Sequence, residues 1–264
     1  MRRGRRGIDV NAPGGDTAMA DEPSILSFSG VTVEADALYD SGVWNVTLKL
    51  DAGEMALVRL ERGHLRLPLA DTAQGLVEPA EGAVSFLGRD WRSVSADEAA
   101  ARRGRIGRVF DAAGGRHGWV SDLNVDENVV LSARQHTDRP DREIADEAAK
   151  LACMFGLPGL PRGRPDRTRP HDLQLAGCVR ALIGQPRLII LERPTQGTYP
   201  ELLPPLVNAL HAARRRGAAV LWTTAEPTIW TNPGLRPTYK CAMSGAQMLV
   251  SREEPPPVDI AKET

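Results

Sequence analysis

At 264 residues, with 42% hydrophobic and 25% charged residues and a formal net charge of −1, the chain has the make-up of an ordinary globular protein. That balance gives no footing for nucleic-acid or anionic-membrane affinity, and the length suits one large α/β domain with a subdomain. No apolar run approaches the ~18 to 20 residues needed to cross a bilayer, so membrane association would have to come through a partner. Cys153, Cys178 and Cys241 lie far apart in apolar stretches, with no CxxC pair and no His at metal-ligand spacing, which fits a reducing cytoplasm.

Residues 1–24 are rich in Gly, Pro and charge and are expected to form a disordered leader; MRRGRRG is followed by polar residues, unlike a secretion signal. Met1 and Met19 both stand as candidate starts. From Ile25 the pattern is strand-like: ILSFSGVTVEA, then VWNVTLKL with Trp44, Val46, Leu48 and Leu50 alternating, then DAGE as a turn and MALVRL, so an antiparallel layer opens the ordered span of 25–252. Pro140 and Asp141 announce a helix carrying Ile144, Ala148, Leu151 and Phe155 on one side and ending at Gly156. The runs LIIL (188–191) and AAVLW (218–222) read as parallel strands. The helix between them, about 201–216, places Leu202, Leu203, Leu206, Val207, Leu210 and Ala213 on one face and stops in three arginines and Gly217. Residues 253–264 read as a disordered tail, and no internal repeat is present.

The order of short strings from Gly53 to Pro227 resembles the ATP-binding-cassette (ABC) family. GEMALV, a loop and GLVEPAEGAVSFLGRDW resemble the phosphate-loop strand and its continuation. IGRVF with Asp111 resembles the entry to the Q-loop, SDLNVDENV the entry to the helical subdomain, and CVRALIGQPRLIILERPTQGTYP the stretch from signature helix through Walker B to D-loop. The segment FDAAGGRHGWVSDLNVDENVVLSARQHT is most similar to ATPases of Mla- or Mce-type lipid transporters. The resemblance implies a P-loop-NTPase-like α/β fold, with a mixed sheet, an antiparallel β layer and a helical subdomain over about 112–170.

It also implies where chemistry belongs, and there the residues have changed. A working phosphate loop needs clustered glycines, a Lys for the phosphates and a hydroxyl for Mg²⁺. In RLERGHLRLPL only Gly63 matches a family glycine, Arg66 or Leu65 stands for the Lys, and Leu67 and Pro68 replace the hydroxyls, so the segment reads as a surface loop leading into a helix. Glu192 takes the place of the metal-holding Asp and Arg193 that of the Glu beside the attacking water; a carboxylate one methylene longer could still reach a metal, a guanidinium cannot accept a proton, and a strand-end ion pair or a solvated pair is the bland alternative for the two side chains. The signature positions are Thr168, Arg169, Pro170, His171 and Asp172; the Q-loop Gln is Asp111, the D-loop Asp is Tyr199 and the switch His is Ala225. Asp111 and Asp172 would set negative charge near a triphosphate, and Tyr39 stands where an aromatic stacks on adenine, although a lone Tyr at a strand end is more often simple packing.

With both halves of the composite site altered, the resemblance implies a pseudo-ATPase with a docking or regulatory role. No cofactor is expected beyond weak ATP and Mg²⁺ binding, and catalytic residues are expected to be absent. The implied partners are a membrane permease subunit and a second ABC domain, as homodimer or heterodimer, with no nucleic acid. The implied location is cytoplasmic, peripheral to the inner membrane. A slow genuine ATPase and a non-transport interaction module are the alternatives. Permease docking maps to 118–128, with Trp119, Val120 and Leu123 as apolar anchors beside Asp122, Asp126 and Glu127; simple core packing of Trp119 is the competing expectation.

Overall fold

The structure is a computed structural model that describes residues 23–63, 66–111, 118–196 and 200–253. The leader up to residue 22, Leu65, residues 112–117 at the start of the expected helical subdomain, Tyr199, and the tail from 254 lie outside the described residues.

The strands are β1 (Leu26–Val33), β2 (Val43–Leu50), β3 (Met55–Arg59), β4 (Glu81–Phe86), β5 (Arg89–Asp90), β6 (Ile106–Val109), β7 (Leu188–Glu192), β8 (Ala219–Thr224), β9 (Tyr239–Ser244) and β10 (Gln247–Arg252). The helices are α1 (Leu69–Ala73), α2 (Ala96–Arg103), α3 (Val125–His136), α4 (Asp141–Met154), α5 (Pro170–Leu182), α6 (Leu203–Arg215) and α7 (Pro227–Trp230). The strands join in one mixed sheet in the order β5-β4-β1-β2-β10-β9-β3-β8-β7-β6. In the half formed by β3, β6, β7 and β8 the pairing is parallel, as their almost unbroken apolar runs require: both faces are covered, and only the last residues of β3 and β7 escape burial. The antiparallel half is built from β1, β2, β4 and β5. The turn at 51–54, with Gly53 at φ +80°, carries the chain between halves, because β2 pairs with β1 and β10 whereas β3 pairs with β8 and β9.

One departure from the expected alternation is Trp44, which is 58% exposed while Val46, Leu48 and Leu50 are buried. Asn45 takes φ +49° and the β1–β2 register shifts between Val31 and Val33, so the bulge turns Trp44 off the core face.

One apolar cluster lies beneath α3, α4, α5 and α6, and includes Val129, Ile144, Ala148, Leu206, Leu210 and Trp222. A second fills the space under the antiparallel half, around Phe28, Leu50, Val58 and Phe86. The expected faces of α4 and α6 hold, with Ala152 and Ala209 added to the buried sets. Of the three arginines closing α6, Arg214 turns back to donate to the carbonyls of Gly53 (2.8 Å), Leu235 (3.2 Å) and Arg236 (2.9 Å), tying the helix end to the turn before β3. Gly107 allows β6 to approach α5: a Cβ there would sit 1.7 Å from the Ala181 carbonyl oxygen.

Candidate site at the ends of the parallel strands

In open parallel sheets ligands bind beyond the carboxyl ends of the strands. Here those ends are β3, β6, β7 and β8, followed by 60–68, 110–111, 193–196 and 225–226. Gly63 has φ +87° and open space around it. Arg66 is turned toward Asp40: its backbone N–H donates to Oδ2 (2.9 Å), and its Nε and Nη2 donate to Oδ1 (3.2 and 3.1 Å). Leu67 is buried, and α1 is a single short turn capped by Pro68.

Arg108 lies at the centre of this region. Its side chain points from β6 into a buried space, where Nη1 donates to Asp71 Oδ1 (2.7 Å) and Gln74 Oε1 (2.6 Å), and Nε donates to Glu192 Oε2 (2.7 Å). The guanidinium also lies 4.3 Å from the centroid of Phe110. Asp71 accepts a further bond from the Tyr39 hydroxyl at 2.6 Å. Burial pushes the Glu192 carboxyl above the usual carboxylate range, with Arg108 opposing that shift and Asp71 and Asp111 adding to it. For Arg108 burial alone would lower the pKa, but Glu192 and Asp71 outweigh it and the net shift is upward, so the cation is permanent.

Arg193 sits just beyond β7 at φ +46°, and its buried guanidinium pairs through Nη2 with Asp111. Its Nε and Nη1 are buried with no hydrogen-bond partner. The turn it begins is fastened on two sides: Gln174 Nε2 donates to the Pro194 carbonyl (2.7 Å), and Thr195 Oγ1 donates to Glu226 Oε1 (2.9 Å), next to half-buried Ala225.

These positions correct several expectations. Glu192 and Arg193 pair not with each other but with Arg108 and Asp111, because adjacent side chains at a strand end diverge to opposite sides. Asp111 is therefore neutralised rather than an unscreened charge. Asp172 is likewise engaged, accepting from Arg169 Nε (2.9 Å) with His171 Nδ1 at 3.6 Å. Tyr39 is buried with its hydroxyl on Asp71, so its ring presents no stacking face. Thr168 donates to the Arg164 carbonyl (2.9 Å), and Pro170 opens α5, so the signature positions form a local turn and helix start.

In the segment expected to dock a permease, Val120 and Asp122 are exposed, Leu123 and Trp119 half-buried. Trp119 packs on the helical core with Arg180 4.0 Å above its ring. Burial lowers the Arg180 pKa to about 10, which leaves it protonated at neutral pH. Glu127 is a cap: its Oε2 accepts from the Asn124 N–H at 2.7 Å in a capping box. Substituting it would therefore disturb α3 as well as any docking surface. Asn128, not singled out in the sequence, holds the loop by accepting from the Val120 N–H (2.8 Å) and donating to the carbonyls of Val120, Leu123 and Asn124.

A magnesium–triphosphate complex would need a free carboxylate, a hydroxyl and a glycine cradle. The carboxylate at position 192 is already held by a guanidinium, the hydroxyl positions are Leu67 and Pro68, and Arg66 is committed to Asp40. The residues present do not fit that group. Among the described residues no three His, Cys, Asp or Glu side chains converge as a metal site, and no helix is long and apolar enough to cross a membrane.

No protein-family model matches the chain. It is 28% identical over 176 residues to the probable ribonucleotide transport ATP-binding protein mkl of Mycobacterium tuberculosis, which covers 65% of this chain and 48% of that protein. It is 27% identical over 192 residues to the phosphonates import ATP-binding protein PhnC 2 of a Synechococcus species, covering 69% of each. The chain thus spans about half the length of the mycobacterial relatives it matches. Among solved structures, the ATP-binding cassette MJ0796 bound to ADP and Pi superposes with a TM-score of 0.71 at 18% identity, over 86% of this chain and 98% of that one. An ATP-binding subunit of an ABC transporter gives a TM-score of 0.70 at 19% identity, over 87% and 90%. Collinear strings, a parallel core with an antiparallel arm, and these likenesses lead to one conclusion: the chain has the fold of ABC-transporter nucleotide-binding cassettes and is similar in sequence to ATP-binding proteins of such transporters, with other residues at the positions where those proteins hold nucleotide.

Proposed function

We propose that the chain is a pseudo-ATPase subunit of an ABC transporter, held at the cytoplasmic face of the membrane by a permease and working through docking or regulation rather than turnover. The observation that carries this reading is the pair of guanidinium groups at the strand ends. Arg108 binds the only carboxylate on the metal-holding position, and Arg193 replaces the residue that would activate water and is itself paired with Asp111. Neither arginine can serve as a general base, since a guanidinium stays protonated.

The partner surface proposed is the loop at 118–123, with Val120 and Trp119 as its apolar part; Asn128 holds that loop in shape. Pairing with a second ABC domain is part of the same reading, and the similarity of 110–137 to Mla- and Mce-type ATPases supports a lipid as cargo. The test is Mg²⁺-dependent ATP hydrolysis by the purified chain. The expected rate is that of buffer, and ATP at micromolar concentration is expected to leave the melting temperature unchanged, because a tight ligand of the native state would raise it. Turnover above background that disappears in Arg193→Ala would overturn the proposal.

A further inference from the structure

Between the end of β6, the start of α5 and the turn after β7 lies a cavity of ≈ 620 Å³, within the size range of sites for small organic ligands. Its walls are mostly apolar, supplied by Val109, Phe110, Trp119, Leu173 and Pro194; two cations, Arg180 and Arg193, reach it, against one carboxylate in its lining, that of the exposed Asp166. Arg193 is 5% exposed, and two of its nitrogens, Nε and Nη1, have no hydrogen-bond partner. Buried charged donors left unsatisfied are costly, and such a group in the wall of a cavity is satisfied by whatever enters it.

We infer that this cavity binds an organic carboxylate with an apolar body, the carboxylate meeting the free N–H groups of Arg193 and the body lying against Trp119 and Phe110. A carboxylate suits the local charge. Asp111 already occupies one side of the guanidinium, so a dianion would meet repulsion that a single negative charge largely escapes. The apolar walls recover the free energy of burying the ligand's carbon body, and Arg180, stacked on Trp119, adds a second positive charge at the same cavity. The site depends on these side chains and not on whether the chain hydrolyses ATP.

Decanoate is the probe, with decanol as its uncharged counterpart, measured on the full chain by titration calorimetry and by Trp fluorescence. Saturable binding of decanoate is expected with a dissociation constant on the order of 10 µM, at least about tenfold tighter than decanol. Gly177→Leu is the blocking variant: Gly177 lines the cavity from α5, and a Cβ there meets only the Trp119 ring at 4.0 Å, so the added carbons fill the space without a backbone clash. It is expected to abolish decanoate binding while the melting temperature holds or rises. Arg193→Leu combined with Asp111→Asn removes both charges of the pair and is expected to erase the preference for decanoate over decanol. Three results would each overturn the inference: no saturable decanoate binding below about 1 mM, binding unchanged in Gly177→Leu, or equal binding of decanol by the unaltered chain. If the double variant does not fold, the decanol comparison and Gly177→Leu still decide the question.

Discussion

Replacing Arg108 by Met removes the cation that holds α1, β6 and β7 together and leaves Asp71 and Glu192 facing each other in a buried space. The side chains of Arg108, Asp71 and Glu192 are 4%, 8% and 18% exposed, so solvent cannot rehydrate the two acids without local opening. Breaking a buried ion pair by deleting one partner costs about 3 to 5 kcal/mol. At roughly 2 to 4 °C per kcal/mol for a domain of this size, the melting temperature of Arg108→Met is expected to fall by about 6 to 20 °C. Urea unfolding followed by far-ultraviolet circular dichroism measures the same loss as a shift in midpoint at constant slope. The decisive companion is the triple variant Arg108→Met, Asp71→Asn, Glu192→Gln, in which no buried charge is orphaned; it is expected to recover more than half of the lost stability. An Arg108→Met protein within about 1 kcal/mol of the parent, or a triple variant no better than the single one, would refute the assignment of Arg108 as the hub.

Gly107→Ala is expected to cost more than about 3 kcal/mol, because its Cβ would fall 1.7 Å from the Ala181 carbonyl oxygen; Gly177→Ala, buried within α5 but with only the Trp119 ring at 4.0 Å from its Cβ, is expected to gain roughly 0.5 to 1 kcal/mol, both read by thermal melts. The raised Glu192 pKa means that the folded state holds this proton more tightly than the unfolded chain. Stability due to Glu192 therefore declines as pH rises from the unfolded value of 4.5 through the folded pKa, and is regained on acidification; the stability of the parent relative to Glu192→Gln is expected to improve as pH falls from 7 toward 4.5 in a series of melts. Val120→Asp, at an exposed position of the loop, is expected to abolish co-purification with a permease at modest cost in stability, whereas Glu127→Ala is expected to lose about 1 kcal/mol through the α3 cap; co-purification that survives the first variant would remove the loop as a docking surface.

The parallel strands were legible in the sequence because a strand buried on both faces must be apolar throughout, and LIIL and AAVLW announce that condition in any context. The faces of α4 and α6 were legible for a similar reason, since helical periodicity records which side meets the core. Trp44 misled because alternation assumes an unbroken pleat, and the bulge at Asn45 depends on strand pairing far along the chain. Arg108 left a signal that could have been used: a single Arg inside the apolar run IGRVF has to find buried partners. Asn128 left none, as one Asn in a helix does not reveal that it will hold a preceding loop.

The resemblance to ABC ATP-binding proteins, and the departures from it at the nucleotide positions, were legible as residue types in order along the chain, because a glycine cradle, a hydroxyl and a catalytic carboxylate are chemical identities that no packing can supply. Which charges meet was settled only by the tertiary structure. Asp71, Arg108 and Glu192 are far apart in sequence, and their 2.7 Å contacts exist because β6 and β7 pair in parallel with α1 lying across their ends. The two bare nitrogens of Arg193 are likewise a property of the fold, since the sequence shows an arginine at that position but not which of its nitrogens find partners.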